Sequence, residues 1–369
     1  MLTQLRIHHL RNLHTISLEL SQINWVVGNN GTGKTSLLEA VFLLSRGKSF
    51  RHHQPKHYIS QGRDFCAVWA NSTQGTLAIQ KQLGSDKGLE STLLKINEQT
   101  VQSQSVLSYA LPVLLLDPSG MAVLEEGSSS RRQLLDWLVF HVEHRFYEAW
   151  LNYQKLLKQR NHLLKTSKFR PNQAFTAEMS AWDSQLARYA RELHRCRESV
   201  VALWQTAFSD MVSQLLPKYA GRLSLSYHAG FDETQDLATV LSERLSADRE
   251  AGHTRVGAHR ADLTVVLHGE QGKTQAVNVL SRGEKKLLLS ALKIAQLQVL
   301  CSQVTDIMPV VLIDDLDSEL DLSASQILLQ TLLTLPCQLF ISSLDTHKLG
   351  SLLSADDRVN IINTNHLTA

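Results

Sequence analysis

The spacing of apolar positions changes twice along this chain. Leu5-Arg6-Ile7-His8 and Ile16-Ser17-Leu18-Glu19-Leu20 alternate apolar and polar residues, which predicts half-buried strands. Shorter β-like stretches recur at Ala67 to Ala70, Thr76 to Lys81, Thr92 to Ile96 and Val113 to Leu116. Ile23-Asn24-Trp25-Val26-Val27 reads as a buried strand and Ser36 to Phe42 as a helix, so this half is α/β with added antiparallel strands. Beyond Gly127, the serines Ser128 to Ser130 can cap a helix predicted from Arg131 to about Lys165, with Leu135, Val139, Val142, Phe146, Trp150, Tyr153 and Leu157 on one face. After a break at 166–172, Phe175, Met179, Trp182, Leu186, Tyr189, Leu193, Cys196, Val200, Leu203 and Ala207 step by four and three, the seam of a second helix packed along the first. Gly221 to Ala251 carries no pattern that assigns it. Leu263 to Leu267 restores β character, and Val310 to Ile313 and Gln338 to Ile341 read as buried parallel strands. The predicted organisation is an α/β nucleotide-binding domain in two parts, residues 1–130 and 251–369, split by a helical arm over 131–250.

Residues Gly28-Asn29-Asn30-Gly31-Thr32-Gly33-Lys34-Thr35-Ser36 stand between a predicted strand and a predicted helix. The glycines let backbone N–H groups and the helix N-terminus converge on one anion, Lys34 adds charge at the outer phosphates, and the Thr35 hydroxyl suits magnesium. This predicts a nucleoside triphosphate site. Val310 to Ile313 leads into Asp314-Asp315: an acid at a strand tip beside such a loop holds magnesium, and the next acid orients or deprotonates the attacking water, giving Asp314 and Asp315 their expected roles. A second anion site is predicted at Ser281-Arg282-Gly283-Glu284, just ahead of the helical run Leu287 to Leu300. One nucleotide does not need two such sites. The economical arrangement has Ser281 and Gly283 of one subunit closing over the γ-phosphate held by Lys34 of another, in a two-fold ATP-dependent homodimer.

With 369 residues the chain is too long for one compact core. A formal charge of +2 leaves a nucleic-acid case to local clusters. Arg131, Arg132, Arg145, Lys155, Lys158, Arg160, Lys165, Lys168 and Arg170 face only Asp136, Glu143 and Glu148 over 131–170. Arg188, Arg191 and Arg195 form another stripe, and Arg46, Lys48, Arg51 and Lys56 lie in a stretch without acids. Such stripes suit phosphate contacts without sequence preference. Cys66, Cys196, Cys301 and Cys337 are too scattered for a zinc or disulfide framework, and no apolar run reaches the ~18 residues that span a bilayer, so a reduced cytoplasmic protein is expected.

Several motifs occur together in order: Leu5-x-Ile7-x-x-Leu10-Arg11-Asn12, the phosphate loop, Gly47-Lys48-Ser49-Phe50-Arg51, Arg131-Arg132-x-Leu134-Leu135-Asp136-Trp137, Leu156 to Asn161, Gly257-Ala258-His259-Arg260-Ala261-Asp262, Leu280-Ser281-Arg282-Gly283, and Asp314 to Asp321. In these the chain resembles the ATP-binding-cassette heads of chromosome-maintenance and repair ATPases, and within them the RecF family of bacterial recombination mediators. The resemblance implies an ABC-type head with a mixed sheet and an antiparallel β subdomain, interrupted by the arm. It implies that Ser318 and Asp321 belong to a loop crossing the dimer interface, and that weak ATP hydrolysis times release from DNA. It further implies binding to duplex DNA and single-strand/double-strand junctions, with RecO and RecR as partners in loading RecA. The usual histidine after the following strand is replaced by Ser342-Ser343-Leu344-Asp345-Thr346-His347, leaving Ser343, Asp345 and His347 as alternative γ-phosphate sensors. Two rival functions are an ABC-transporter subunit, in which Ser-Gly-Gly usually replaces Ser281-Arg282-Gly283, and a nucleotide-dependent protein scaffold.

Overall fold

The computed structural model describes the chain except for residues 85–89, 118–119, 167–171, 271, 316–321, 345–349, 354–356 and 368–369. The chain divides into two compact units, residues 1–119 with 286–369, and residues 120–285.

In the first unit five strands form a wholly parallel sheet in the order Val359–Asn363, Ile23–Val27, Gln338–Ser343, Val310–Ile313, Val113–Leu116. Its three inner strands are buried at every residue, as expected when both faces of a parallel sheet are covered. Val113–Leu116, which lies among antiparallel pieces in the sequence, pairs in parallel with Val310–Ile313; its unbroken Val-Leu-Leu-Leu is the composition of such a strand. Six further strands form an antiparallel sheet in the order Leu13–Glu19, Leu2–Leu10, Phe65–Ser72, Gly75–Gln82, Ser91–Ile96, Gln99–Val101. The helix Lys34–Arg46 contributes Leu37, Leu38, Val41 and Leu44 to a core that also takes Leu5, Ile7 and Val68 from the antiparallel sheet and Val26, Leu312 and Phe340 from the parallel one. Helix and sheets are thereby fixed together. The loops that follow Ile23–Val27, Gln338–Ser343 and Val310–Ile313 leave the same edge of three adjacent strands, where open α/β sheets place their ligands.

The second unit is built on the helices Ser128–Val142, Phe146–Thr166 and Asn172–Leu215. The single helix expected from Arg131 to about Lys165 is therefore two. Glu143 turns extended, at φ −105 and ψ 103, and ends the first helix, while the Phe146 N–H returns to the Glu143 carbonyl at 3.0 Å to begin the second. The expected serine cap is also corrected, because Gly127 occupies the N-cap and Ser128 to Ser130 form the first turn. On the long helix the buried line runs Phe175, Met179, Asp183, Leu186, Ala190, Leu193, Arg197, Val200, Trp204, Phe208, Met211, Leu215. These eleven steps span 40 residues, the 3.6-residue period of a straight helix rather than the 3.5 of a heptad seam. Leu203, placed on the seam by the heptad reading, consequently faces outward at 42 % exposure.

Two of those buried positions are charged. Arg197 grips both oxygens of Asp136, at 2.8 and 3.0 Å, and donates to the Ala258 carbonyl. Arg160 reaches Asp183 at 2.6 Å, Asp248 at 2.7 Å and the Thr254 hydroxyl at 2.8 Å. The unassigned stretch Gly221 to Ala251 resolves into the strand Leu223–His228 and the helices Leu237–Glu243 and Leu245–Ala251. That strand pairs antiparallel with Asp262–Gly269, which also pairs with Gly272–Gln275. Among the described residues no helix is long and apolar enough to cross a membrane.

Candidate nucleotide and nucleic-acid sites

The phosphate loop wraps the N-terminus of the helix Lys34–Arg46. Gly33 is its N-cap at φ 97 and supplies no side-chain acceptor, which leaves first-turn N–H groups for an anion. Only glycine suits the loop's tightest points. A Cβ on Gly28, whose φ is 157, would stand 2.3 Å from the Thr364 hydroxyl, and one on Gly33 would stand 2.7 Å from Leu13. Beside the loop lies a cavity of about 520 Å³ lined by Arg11, Asn12, Asn30, Gly31, Gly33, Lys34, Thr35, Ser36, Arg51 and Asp315.

Lys34 is 6 % exposed and donates to the carbonyls of Gly28 at 2.7 Å and Asn29 at 3.1 Å. The Thr32 hydroxyl also donates to the Asn29 carbonyl. Thr35 and Asp314 come together across the sheet edge, with the hydroxyl donating to the carboxylate at 3.2 Å. Ser342, on the strand between them, donates to the same oxygen at 2.8 Å, and its own oxygen accepts the Asp315 N–H at 2.9 Å. Burial pushes the Asp314 carboxyl above its ordinary range, a shift that the Ser342 hydrogen bond opposes and the neighbouring Asp315 reinforces. A half-buried carboxylate beside a threonine hydroxyl, strained toward its neutral form, is a donor set that fits a hard divalent cation. Asp315 sits at φ 46, in the left-handed region, on the cavity wall.

Two supporting groups around the loop were not assigned chemistry from the sequence. Asn12 donates to the Gly31 carbonyl and accepts from the Ser36 hydroxyl, both at 2.9 Å. Arg11 chelates the fully buried Glu39, to which Ser49 also donates, while the Ser49 oxygen accepts the N–H groups of Arg51 and His52. At the other end of the chain the Thr364 hydroxyl, 3.2 Å from the Val27 carbonyl, donates to the Thr32 oxygen at 2.6 Å, since the Thr32 proton is spent on Asn29. Asn365 accepts the Asn29 N–H at 3.0 Å. Of the alternative sensors, Ser343 is buried and accepts the Trp25 indole N–H at 2.7 Å. Asp345, His347 and the expected dimer-loop residues Ser318 and Asp321 lie outside the described residues.

In the second unit, Ser281 and Glu284 form a reciprocal cap. The Glu284 N–H reaches the Ser281 hydroxyl at 3.3 Å, and the Glu284 carboxylate accepts the Ser281 N–H at 2.8 Å. Arg282 and Gly283 are exposed, and a Cβ on Gly283 would meet nothing within 4 Å. Nothing within the described chain therefore requires glycine there.

Residues 1–367 match the RecF/RecN/SMC N terminal domain family. A DNA replication and repair protein RecF of Acinetobacter baumannii (strain SDF) is 42% identical over 346 residues, 93% of this chain and 91% of the relative. The chain belongs to the RecF family. A RecF of Pseudomonas aeruginosa (strain LESB58) is 35% identical over 371 residues, covering 99% of this chain and 96% of its own. RecF-like architecture is equally plain in three dimensions. The solved recombination mediator protein RecF with ATP, of the RecFOR pathway, superimposes with a TM-score of 0.79 at 24% identity, covering 94% of this chain and 92% of that one. An Smc head bound to the C-winged helix domain of ScpA gives 0.51 at 14%, covering 95% and 91%. Both share the mixed α/β head.

The basic residues expected at a DNA surface of this RecF-family chain fall into distinct settings. Lys155, Lys158, Lys165, Arg188 and Arg195 are exposed, and Lys158 and Lys165 flank a groove of about 440 Å³ with Asn161 and His162. Arg131 is chelated by Asp262 at 2.8 Å, Arg132 donates to the Ala261 carbonyl at 2.7 Å, and Arg191 pairs with Asp236 at 2.9 Å. Arg51 lines the cavity beside the phosphate loop. Arg160, counted in the basic stretch, is fully buried between Asp183 and Asp248, which removes it from any surface.

Proposed function

We propose that this chain is an ATP-gated DNA clamp of recombinational repair. ATP binds at the phosphate loop and draws two copies together, with Ser281 and Gly283 of each closing on the other's γ-phosphate. The dimer holds DNA at single-strand/double-strand junctions, and slow hydrolysis releases it. Family membership and the RecFOR context of the solved relative support RecO and RecR as partners, and the part assigned to the three together is the placing of RecA.

The observation that carries this reading is Gly283. Gly283 stands in the first turn of its helix, and among the described residues no contact requires a glycine there. Close approach by a ligand from outside the chain does. Ser281 suits the same contact, because its exposed hydroxyl accepts the Glu284 N–H and can turn its proton from the Glu284 carboxylate to an incoming phosphate oxygen.

At the loop, incoming phosphates replace the Gly28 and Asn29 carbonyls as partners of Lys34. Thr35 and Asp314 would hold magnesium, which when bound polarises the phosphoryl oxygens. Asp315, on the cavity wall, orients the attacking water and accepts its proton. DNA contact is assigned first to Lys155, Lys158, Lys165, Arg188 and Arg195, with Arg131, Arg132 and Arg191 already engaged within the chain.

Sedimentation with gapped DNA and ATP, ADP or a non-hydrolysable analogue tests the clamp. Lys34→Arg is expected to keep most nucleotide binding and lose at least about tenfold in turnover, the scale of one mispositioned charge. Ser281→Arg is expected to bind nucleotide and stay monomeric. A Ser281→Arg protein that dimerises with ATP like the parent refutes the shared site. Duplex binding should fall steeply with salt only in the ATP-bound state; weak binding in both states would favour a scaffold.

A further inference from the structure

The turn at Ser281-Arg282-Gly283 is not held by its own residues alone. Glu284 spends one carboxylate oxygen on the Ser281 N–H, and its other oxygen accepts the Tyr219 hydroxyl at 3.0 Å, with the Lys218 ammonium at 3.5 Å. Tyr219 lies in the short 3-10 turn Pro217–Tyr219 that follows the long helix of the arm. Its frame is stiff. Pro217 fixes the backbone, the Tyr219 N–H returns to the Leu216 carbonyl at 2.8 Å, and the residue is 5 % exposed. From the other side Lys285 pairs with Glu125 at 2.7 Å.

We infer that Tyr219 is a positioning residue for the half-site that Ser281 and Gly283 present to a second subunit's nucleotide. The inference rests on the two-chain reading above. Its logic is electrostatic. A carboxylate at the N-terminus of a helix competes with an incoming phosphate for the same N–H groups and repels it at close range. Glu284 is tolerable there only if its charge is drawn aside, and Tyr219 with Lys218 draws it toward the arm. The same hydrogen bond fixes the carboxylate rotamer, and through the reciprocal cap it fixes the hydroxyl of Ser281. A buried tyrosine at the end of the element that carries Arg188 and Arg195 thus sets the geometry of the turn.

Tyr219→Phe keeps the ring and removes only the hydroxyl. We expect ATP-dependent dimerisation to weaken about fivefold or more, the worth of one hydrogen bond to a charged acceptor. Affinity for a fluorescent ATP analogue below the dimerisation concentration should stay within about twofold, while the thermal midpoint falls by only a few degrees, the scale of one lost hydrogen bond. In a double-mutant cycle with Glu284→Gln, the effects on dimerisation should be non-additive. Undiminished dimerisation by Tyr219→Phe, additivity in the cycle, or parallel losses of nucleotide affinity and thermal midpoint would each overturn the assignment. The parent protein reports separately on the underlying reading: if it stays monomeric with ATP, the shared site and this inference fall together.

Discussion

Lys34 in the first unit and Arg160 in the second are both enclosed cations, at 6 % and 0 % exposure, yet their surroundings are opposite. Lys34 rests against two neutral carbonyls of its own loop. Arg160 is surrounded by two carboxylates, a threonine hydroxyl and the Leu241 carbonyl. An incoming phosphate can take Lys34 from carbonyls at little cost, because no opposite charge is left bare. Taking Arg160 would strand Asp183 and Asp248, which are 2 % and 1 % exposed. The first unit holds its enclosed cation with neutral groups alone; the second uses one to join the helices Phe146–Thr166, Asn172–Leu215 and Leu245–Ala251.

The sharpest way to break this contrast is to remove Arg160. Arg160→Ala should cost about 3–5 kcal/mol, the scale for breaking one partner out of a buried ion pair, read as a shift in the urea midpoint. Lys158→Ala, two residues away and exposed, should move it by less than about 0.5 kcal/mol. Equal effects would show that the arm does not depend on its internal charge.

The next largest effect concerns His259, beside the same network. Its Nε2 faces the Thr254 carbonyl at 3.0 Å, which can only accept, so Nε2 carries the proton and Nδ1 accepts from the Tyr153 hydroxyl at 2.8 Å. Burial pushes the imidazole down from 6.5 to about 4, with Arg260 and Arg132 adding to the shift. Because the folded value lies below the ordinary one, the stability is present above 6.5 and lost as pH falls toward 4. The loss should approach about 3 kcal/mol. Denaturant titrations between those limits should show it, and His259→Gln should flatten the dependence. An unchanged slope in the variant would assign the acid sensitivity elsewhere.

What could be read from the sequence divides along the same line. Gly28 to Thr35 and Asp314-Asp315 are legible because each residue type is demanded by local geometry or by an anion: glycines for positive φ, a lysine beside them, acids ending an apolar strand. The unbroken apolar runs Ile23–Val27 and Val310–Ile313 are legible for a similar reason, since both faces of a parallel strand must be buried. Asp183 and Arg197 were not legible. A charged residue reads as a surface position unless its partner is known, and the partners here lie 23 and 61 residues away. Omitting them makes the remaining apolar pattern look like a heptad and pushes Leu203 inward. The break at Glu143 escaped because no glycine or proline marks it. Thr364 and Asn365 escaped because an Asn-Thr-Asn tail after an edge strand carries no sign of the loop it meets.

That tail offers the smallest and most discriminating prediction. The tail meets the phosphate loop through neutral groups: Asn365 accepts the Asn29 N–H, and Thr364 shares a hydrogen bond with Thr32. Neutral tethers are worth about 1 kcal/mol each, far less than the charged joints of the arm. Asn365→Ala should therefore weaken ATP binding about fivefold while leaving the urea midpoint nearly fixed, because the loop and not the core loses order. A fluorescent-nucleotide titration alongside urea unfolding separates the two quantities. If the midpoint falls and affinity holds, the tail belongs to the core and not to the loop. If affinity falls alone, a binding loop can be tuned by polar contacts too weak to matter to the fold, as its glycines and carbonyl-held lysine require.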